Sequence, residues 1–92
     1  MSPSTVKRRV VVHGRVQGVF FRDTAGREAS RHGVAGWVRN TAEGTVEAVF
    51  EGAREDVERL VGFAHEGPPA AKVARVEVFE EEPEGLEGFE TR

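Results

Sequence analysis

The chain contains no cysteine, which excludes disulfides and thiolate chemistry and fits a cytoplasmic protein. No apolar run approaches the ~20 residues of a membrane-spanning helix. The N-terminus lacks the apolar stretch of a secretory signal. Amide side chains are almost absent: Gln17 and Asn40 are the single glutamine and the single asparagine, and no methionine follows Met1. With heavy use of Glu and Arg, that scarcity is the pattern of heat-adapted proteins, and GC-rich coding produces the same bias. A sequence that avoids amides yet keeps one in a glycine loop and one at a strand end points to a job for each. A surplus of positive charge is also missing. The net charge is −3, which argues against non-specific nucleic-acid binding through a basic face. Basic residues nevertheless dominate the first 39 residues, where Lys7, Arg8, Arg9, Arg15, Arg22, Arg27, Arg31 and Arg39 face only Asp23 and Glu28. A basic half suits an anionic ligand, although a solvated face of mixed charge explains most such arginines equally well.

The 92 residues suffice for one small domain. Residues 1–6 read as a loose start and residues 7–92 as a single domain. Lys7–His13, with its run of Val10, Val11 and Val12, reads as a strand. Asp23–His32 reads as a helix, with Phe21, Ala25 and Ala29 on one face and Gly33 as its stop. Gly26 weakens that helix by about 1 kcal/mol. Val34–Asn40 and Thr45–Glu51 read as strands joined by a Thr41–Gly44 hairpin turn. Ala53–His65 carries Val57, Leu60, Val61 and Ala64 on one helical stripe and ends at Gly67-Pro68-Pro69. Lys72–Glu80 reads as a further strand, Glu80–Glu87 as an acidic loop, and Gly88–Arg92 as a short last strand. The order β-α-β-β-α-β predicts an α+β, ferredoxin-like sandwich. Two helices then lie on one face of a mainly antiparallel sheet of four or five strands. Its first two strands run parallel through a right-handed crossover. The loop ending in Arg22 and the strand end at Asn40 then meet at one edge of the sheet.

That loop is the segment Gly14-Arg15-Val16-Gln17-Gly18-Val19-Phe20-Phe21-Arg22. It holds no proline, so every residue keeps its backbone N–H, and Gly18 is free to take positive φ. Such a segment at a helix N-terminus can form a nest for an anion, phosphate above all. The Arg22 guanidinium adds a planar fork that fits two phosphate oxygens. An ordinary strand-to-helix turn accounts for the same residues. The motif is neither a Walker A loop, since no Lys-Ser/Thr follows Gly18, nor a dinucleotide fingerprint with three spaced glycines.

Two segments together are more specific. Gly14, Val16, Gln17, Gly18, Val19, Phe21 and Arg22 match the pattern G-x-V-Q-G-V-x-[FY]-R. Gly36-Trp37-Val38-Arg39-Asn40 matches G-[FYW]-[AVC]-[KRQAM]-N. With both, the chain resembles the acylphosphatases, small enzymes that hydrolyse acyl phosphates to a carboxylate and inorganic phosphate. Thr41, Gly44, Val46 and Glu47 continue the likeness. The resemblance implies that Arg22 and the backbone N–H groups of Val16, Gln17, Gly18, Val19, Phe20, Phe21 and Arg22 hold the phosphoryl group. It implies that Asn40 positions the attacking water. It also implies no metal, no other cofactor and no covalent phosphoenzyme. The expected protein is a cytoplasmic monomer that binds a small acyl phosphate and its product phosphate, with no nucleic-acid or membrane partner. A phosphate- or carbamoyl-phosphate-binding module without turnover is the alternative.

The remaining residues have plainer expectations. His13, His32 and His65 show no metal-ligand spacing; His13 could support the loop it precedes. Asp23 answers the helix dipole or pairs with Arg22. Trp37 and Phe50 are expected in the core. Phe20 and Phe21 should divide, one buried and one at the rim. Thr41 either steadies Asn40 or serves the turn, and Gly36 serves backbone geometry. An RNA-binding sheet is disfavoured, because the first strand has no aromatic and the third only Phe50.

Overall fold

A computed structural model describes residues 4–92. Seven elements follow one another: β1 (Thr5–Arg15), α1 (Phe21–Arg31), β2 (Ala35–Asn40), β3 (Val46–Ala53), α2 (Arg54–Glu66), β4 (Lys72–Glu81) and β5 (Phe89–Thr91). The strands form one sheet in the order β4-β1-β3-β2-β5. All neighbours are antiparallel except β2 and β5. Because β1 and β2 both run antiparallel to β3 between them, they point the same way. Asn40 pairs with Val46, and Val46 pairs with Val12. The end of β2 and the exit from β1 therefore lie at one edge of the sheet, as the element order predicts.

Period-2 alternation decides which face each side chain takes. Val10, Val12, Val38, Val46, Ala48 and Phe50 face the helices and are at most 1% exposed. The helices meet them with Phe21, Ala25 and Ala29 of α1 and Val57, Leu60 and Ala64 of α2. These two stripes are the ones the helical period predicts. Phe21 and Phe63 join the helices, their ring centroids 5.4 Å apart. Gly26 also has a reason to be small. A Cβ there would stand 2.9 Å from Thr91 Oγ1, so the weak helix former lets α1 settle on β5.

Several boundaries move. β1 starts at Thr5, inside the segment expected to be loose, because Thr5 and Val6 pair with Ala53 and Gly52. Residues 1–3 lie outside the described residues. β1 also runs on to Arg15, which pairs with Lys72 across a bulge at His13/Gly14. α1 begins at Phe21 rather than Asp23. Trp37 is not in the core. Its neighbours Gly36 and Val38 take the helix face, so Trp37 is half-buried on the open face, with the Arg92 guanidinium 4.5 Å from its ring centroid. Gly36 has φ +138°, and a Cβ there would collide with the Val49 carbonyl. This position is therefore closed to any other residue.

The basic half of the sequence is not a basic field. On the open face Arg9 meets Glu81 at 2.8 Å and Glu47 at 3.4 Å, and Arg39 meets Glu47 at 2.7 Å. Lys7 pairs with Glu84 and Glu81. Arg27 and Arg31 pair along α1 with Asp23 and Glu28. The partners of Arg9, Glu47 of β3 and Glu81 of β4, lie far away in sequence. The hydrogen bond from Arg9, first among the causes, with its charge and the smaller pull of Lys7, outweighs burial and holds the Glu81 carboxyl below its usual value.

Candidate active site

Where β1 ends, the chain turns through residues 16–20 into α1. Gly18 takes φ +75° and Phe20 φ +67°. For glycine this is ordinary; for phenylalanine it costs roughly 1–2 kcal/mol. The two positive-φ residues curl the backbone so that α1 starts directly above the sheet edge. No side chain caps this helix. The Phe20 carbonyl accepts from the Thr24 N–H at 3.1 Å and from Thr24 Oγ1 at 2.8 Å. The N–H groups of the first turn, before Thr24, have no intrahelical acceptor, and the residues that carry them, Phe21, Arg22 and Asp23, line a pocket.

That pocket has a volume of about 420 Å³. Val16, Gly18, Phe20, Phe21 and Arg22 line it from the loop and first turn, joined by Asp23, and Asn40 lines it from the end of β2. Two residues separated by most of α1 and β2 therefore share one cavity. Phe21 is the buried phenylalanine and Phe20 the rim residue, at 3% and 74% exposure. Val19 turns into the core instead. Gln17 is not a pocket wall either. Its Nε2 donates to the carbonyls of Thr41 at 2.8 Å and Thr45 at 2.9 Å, tying the loop to the β2–β3 hairpin beside Asn40. The two rare amides thus have different surroundings: Gln17 braces, while Asn40 faces the cavity.

Thr91 and Arg92 also line the pocket. Sequence reasoning missed both. Arg22 Nη1 donates to the Arg92 main-chain oxygen at 2.5 Å. This contact, not Asp23, holds the guanidinium; Asp23 leans toward Arg27 at 3.9 Å. Thr41 serves the turn, its hydroxyl 2.6 Å from that of Thr45. His13 lies on the open face, 2.8 Å from Glu77, and so does not touch the loop site. His65 donates from Nδ1 to the Val61 carbonyl at 3.0 Å. Among the described residues, no three of His, Cys, Asp and Glu gather where they could hold a metal ion.

A cavity with a forked cation, an open helix N-terminus and a facing carboxamide is chemistry for a small oxyanion. Comparison with known proteins agrees. The acylphosphatase family model matches residues 8–91. The chain belongs to the acylphosphatase family. It is 62% identical over 84 residues to the acylphosphatase of Thermococcus kodakarensis, covering 91% of this chain and 92% of that one. Its fold superimposes on the acylphosphatase of Coxiella burnetii with a TM-score of 0.91 at 38% identity, covering 96% and 93% of the two chains. It also matches full-length HypF in its phosphate- and nucleotide-bound form, with a TM-score of 0.91 at 26% identity; the match covers all of this chain but 12% of that one. The acylphosphatase reaction is hydrolysis, and its substrate is a small acyl phosphate. Among the described residues, no helix is long and apolar enough to cross a membrane.

Proposed function

We propose that this acylphosphatase works without a metal and that Arg22 and Asn40 divide the chemistry. The observation that carries the proposal is their convergence on one cavity from α1 and β2. Arg22 binds two phosphoryl oxygens with its planar fork. The N–H groups of Val16 to Arg22 surround the others, Gly18 and Phe20 supplying the left-handed turns that aim them inward. Gln17 and Val19 contribute through the backbone alone, since their side chains are committed elsewhere. Asn40 orients the attacking water. A carboxamide is no base, so the proton passes to a substrate oxygen.

The reaction asks for little more. The leaving group is a carboxylate, already a stable anion, and needs no general acid. Charge in the transition state spreads over the phosphoryl oxygens, where a preorganised cation and N–H dipoles stabilise it. Phosphomonoesters, whose alkoxide must be protonated, are turned over poorly. In its simplest form the enzyme is a cytoplasmic monomer.

The test is release of benzoate from benzoyl phosphate in excess EDTA. Undiminished turnover is expected, with the monoester p-nitrophenyl phosphate nearly inert. Loss of turnover in EDTA, restored by added metal, overturns the proposal. Phosphate binding without turnover points instead to a binding module. The likeness to a segment of the much longer HypF favours that as the second reading.

A further inference from the structure

We infer that Glu51, at the far end of β3 from the pocket, is a positioning residue for the phosphate site and acts through β5 on Arg22. The inference rests on the proposed role of Arg22. Topology poses the problem that Glu51 solves. β4 and β5 are consecutive in sequence but form opposite edges of the sheet. The segment between them, residues 82–88, must cross β1, β3 and β2, four strand spacings or roughly 19 Å. It has no regular secondary structure.

Glu51 pins this segment midway. Glu51 is 4% exposed. It accepts the N–H of Glu84 on Oε1 at 3.0 Å and those of Gly85 and Leu86 on Oε2 at 2.7 and 3.1 Å. Lys7, its partner across the β1–β3 ladder, is buried beside it and grips Glu84 and Glu81. A buried carboxylate with three N–H donors acts as a substitute for a missing strand neighbour.

The segment it holds delivers β5. That strand has three residues, is parallel, and lies at an edge, so its own pairing is marginal. It is continued by the Gly36 N–H to the Gly88 carbonyl and by the Arg92 N–H to the Val38 carbonyl, both 2.9 Å. At its end stand Thr91 and Arg92 in the pocket wall, with the Arg92 oxygen on the Arg22 guanidinium. Glu51 lies five residues from Val46 along β3, roughly 17 Å from the pocket edge. It touches no substrate, yet it fixes the approach of the strand that orients Arg22.

Glu51→Gln tests this. Glutamine has one acceptor oxygen and sets its NH2 against a backbone N–H donor. Three readouts are taken below the thermal midpoint: inorganic phosphate affinity, amide exchange at Gly36 and Arg92, and the Arg22 Nε–H resonance. With circular dichroism unchanged, phosphate should bind roughly tenfold more weakly, the scale on which outer supporting partners act. The Gly36 and Arg92 amides should exchange faster while those of β1 and β3 do not, and the Arg22 resonance should move. Leu86→Pro removes one of the three donors without touching the buried carboxylate, and it should shift all three in the same direction by less. Unchanged phosphate affinity in a folded Glu51→Gln protein overturns the inference. So does weakened affinity with Gly36 and Arg92 still protected. If Glu51→Gln does not fold, unchanged affinity in Leu86→Pro overturns it alone. A wild type that fails to bind phosphate would sink the reading of the site itself, a distinct outcome.

Discussion

Replacing Gln17 by alanine should destabilise the protein by about 2 kcal/mol. Nε2 makes two hydrogen bonds, to the carbonyls of Thr41 and Thr45, and each contributes about 1 kcal/mol net. The larger penalty of an orphaned carbonyl does not apply. Thr41 O still accepts from the Gly44 N–H at 3.2 Å and Thr45 O from the Thr41 N–H at 2.9 Å. For a domain of this size, about 2 kcal/mol lowers the thermal midpoint by roughly 10 °C. Gln17→Glu should be worse than alanine, because a carboxylate would face two carbonyl oxygens with no proton to offer. Urea and thermal unfolding of the three proteins measure this, with phosphate affinity as a second readout. Affinity should fall in both variants, since the brace ties the loop to the hairpin that follows Asn40. A Gln17→Ala protein within about 0.5 kcal/mol of wild type, or a Gln17→Glu protein more stable than Gln17→Ala, would refute the assignment of Gln17 as a brace.

Arg22→Lys should recover little of the phosphate affinity lost in Arg22→Ala, because an ammonium cannot span two oxygens as the fork does; equal affinity for lysine and arginine in a competition assay would contradict this. Gly18→Val should cost roughly 1–2 kcal/mol and disturb the loop, although no atom crowds its Cβ position. Gly18→Asn, which tolerates left-handed φ, should keep most phosphate affinity. Stability should also fall in acid. Burial pushes the Glu51 carboxyl up, but the N–H groups of Glu84, Gly85 and Leu86 with Lys7 outweigh it and hold the group below its usual value. Hydrogen bonding from Arg9 acts likewise on Glu81. A depressed carboxylate contributes fully above its unfolded value and loses that contribution as pH falls through its folded one. Urea midpoints should therefore be flat near neutrality and decline below the ordinary carboxylate range, less steeply in Glu51→Gln; an identical decline in that variant would show that Glu51 carries none of it.

The parts of the fold that are legible in the sequence are those with a strong period. Val57, Leu60 and Ala64 recur on one helical stripe, and Val46, Ala48 and Phe50 alternate with Glu47, Val49 and Glu51. Trp37 misleads because its size suggests burial, while the small Gly36 and the valine Val38 already claim the inner face. Thr91 and Arg92 escape notice for a different reason. A three-residue strand has no measurable alternation, and its pairing partner, β2, lies about fifty residues away. The arginines show the same limit. Arg9 and Arg39 look like a field for an anion until strand register brings Glu47 between them. Of the loop, the glycine and arginine are readable as an anion cradle. The left-handed Phe20 and the bracing by Gln17 are not, because both depend on where the neighbouring hairpin stands.

Inorganic phosphate inhibition and single-turnover hydrolysis of benzoyl phosphate, measured side by side in Arg22→Ala and Asn40→Ala, probe the division of labour directly. Asn40→Ala should bind phosphate nearly as wild type does and lose turnover by roughly 10²-fold or more. Arg22→Ala should lose both binding and turnover. Tight phosphate binding by Arg22→Ala, or full turnover by Asn40→Ala, would contradict the roles assigned to the two residues.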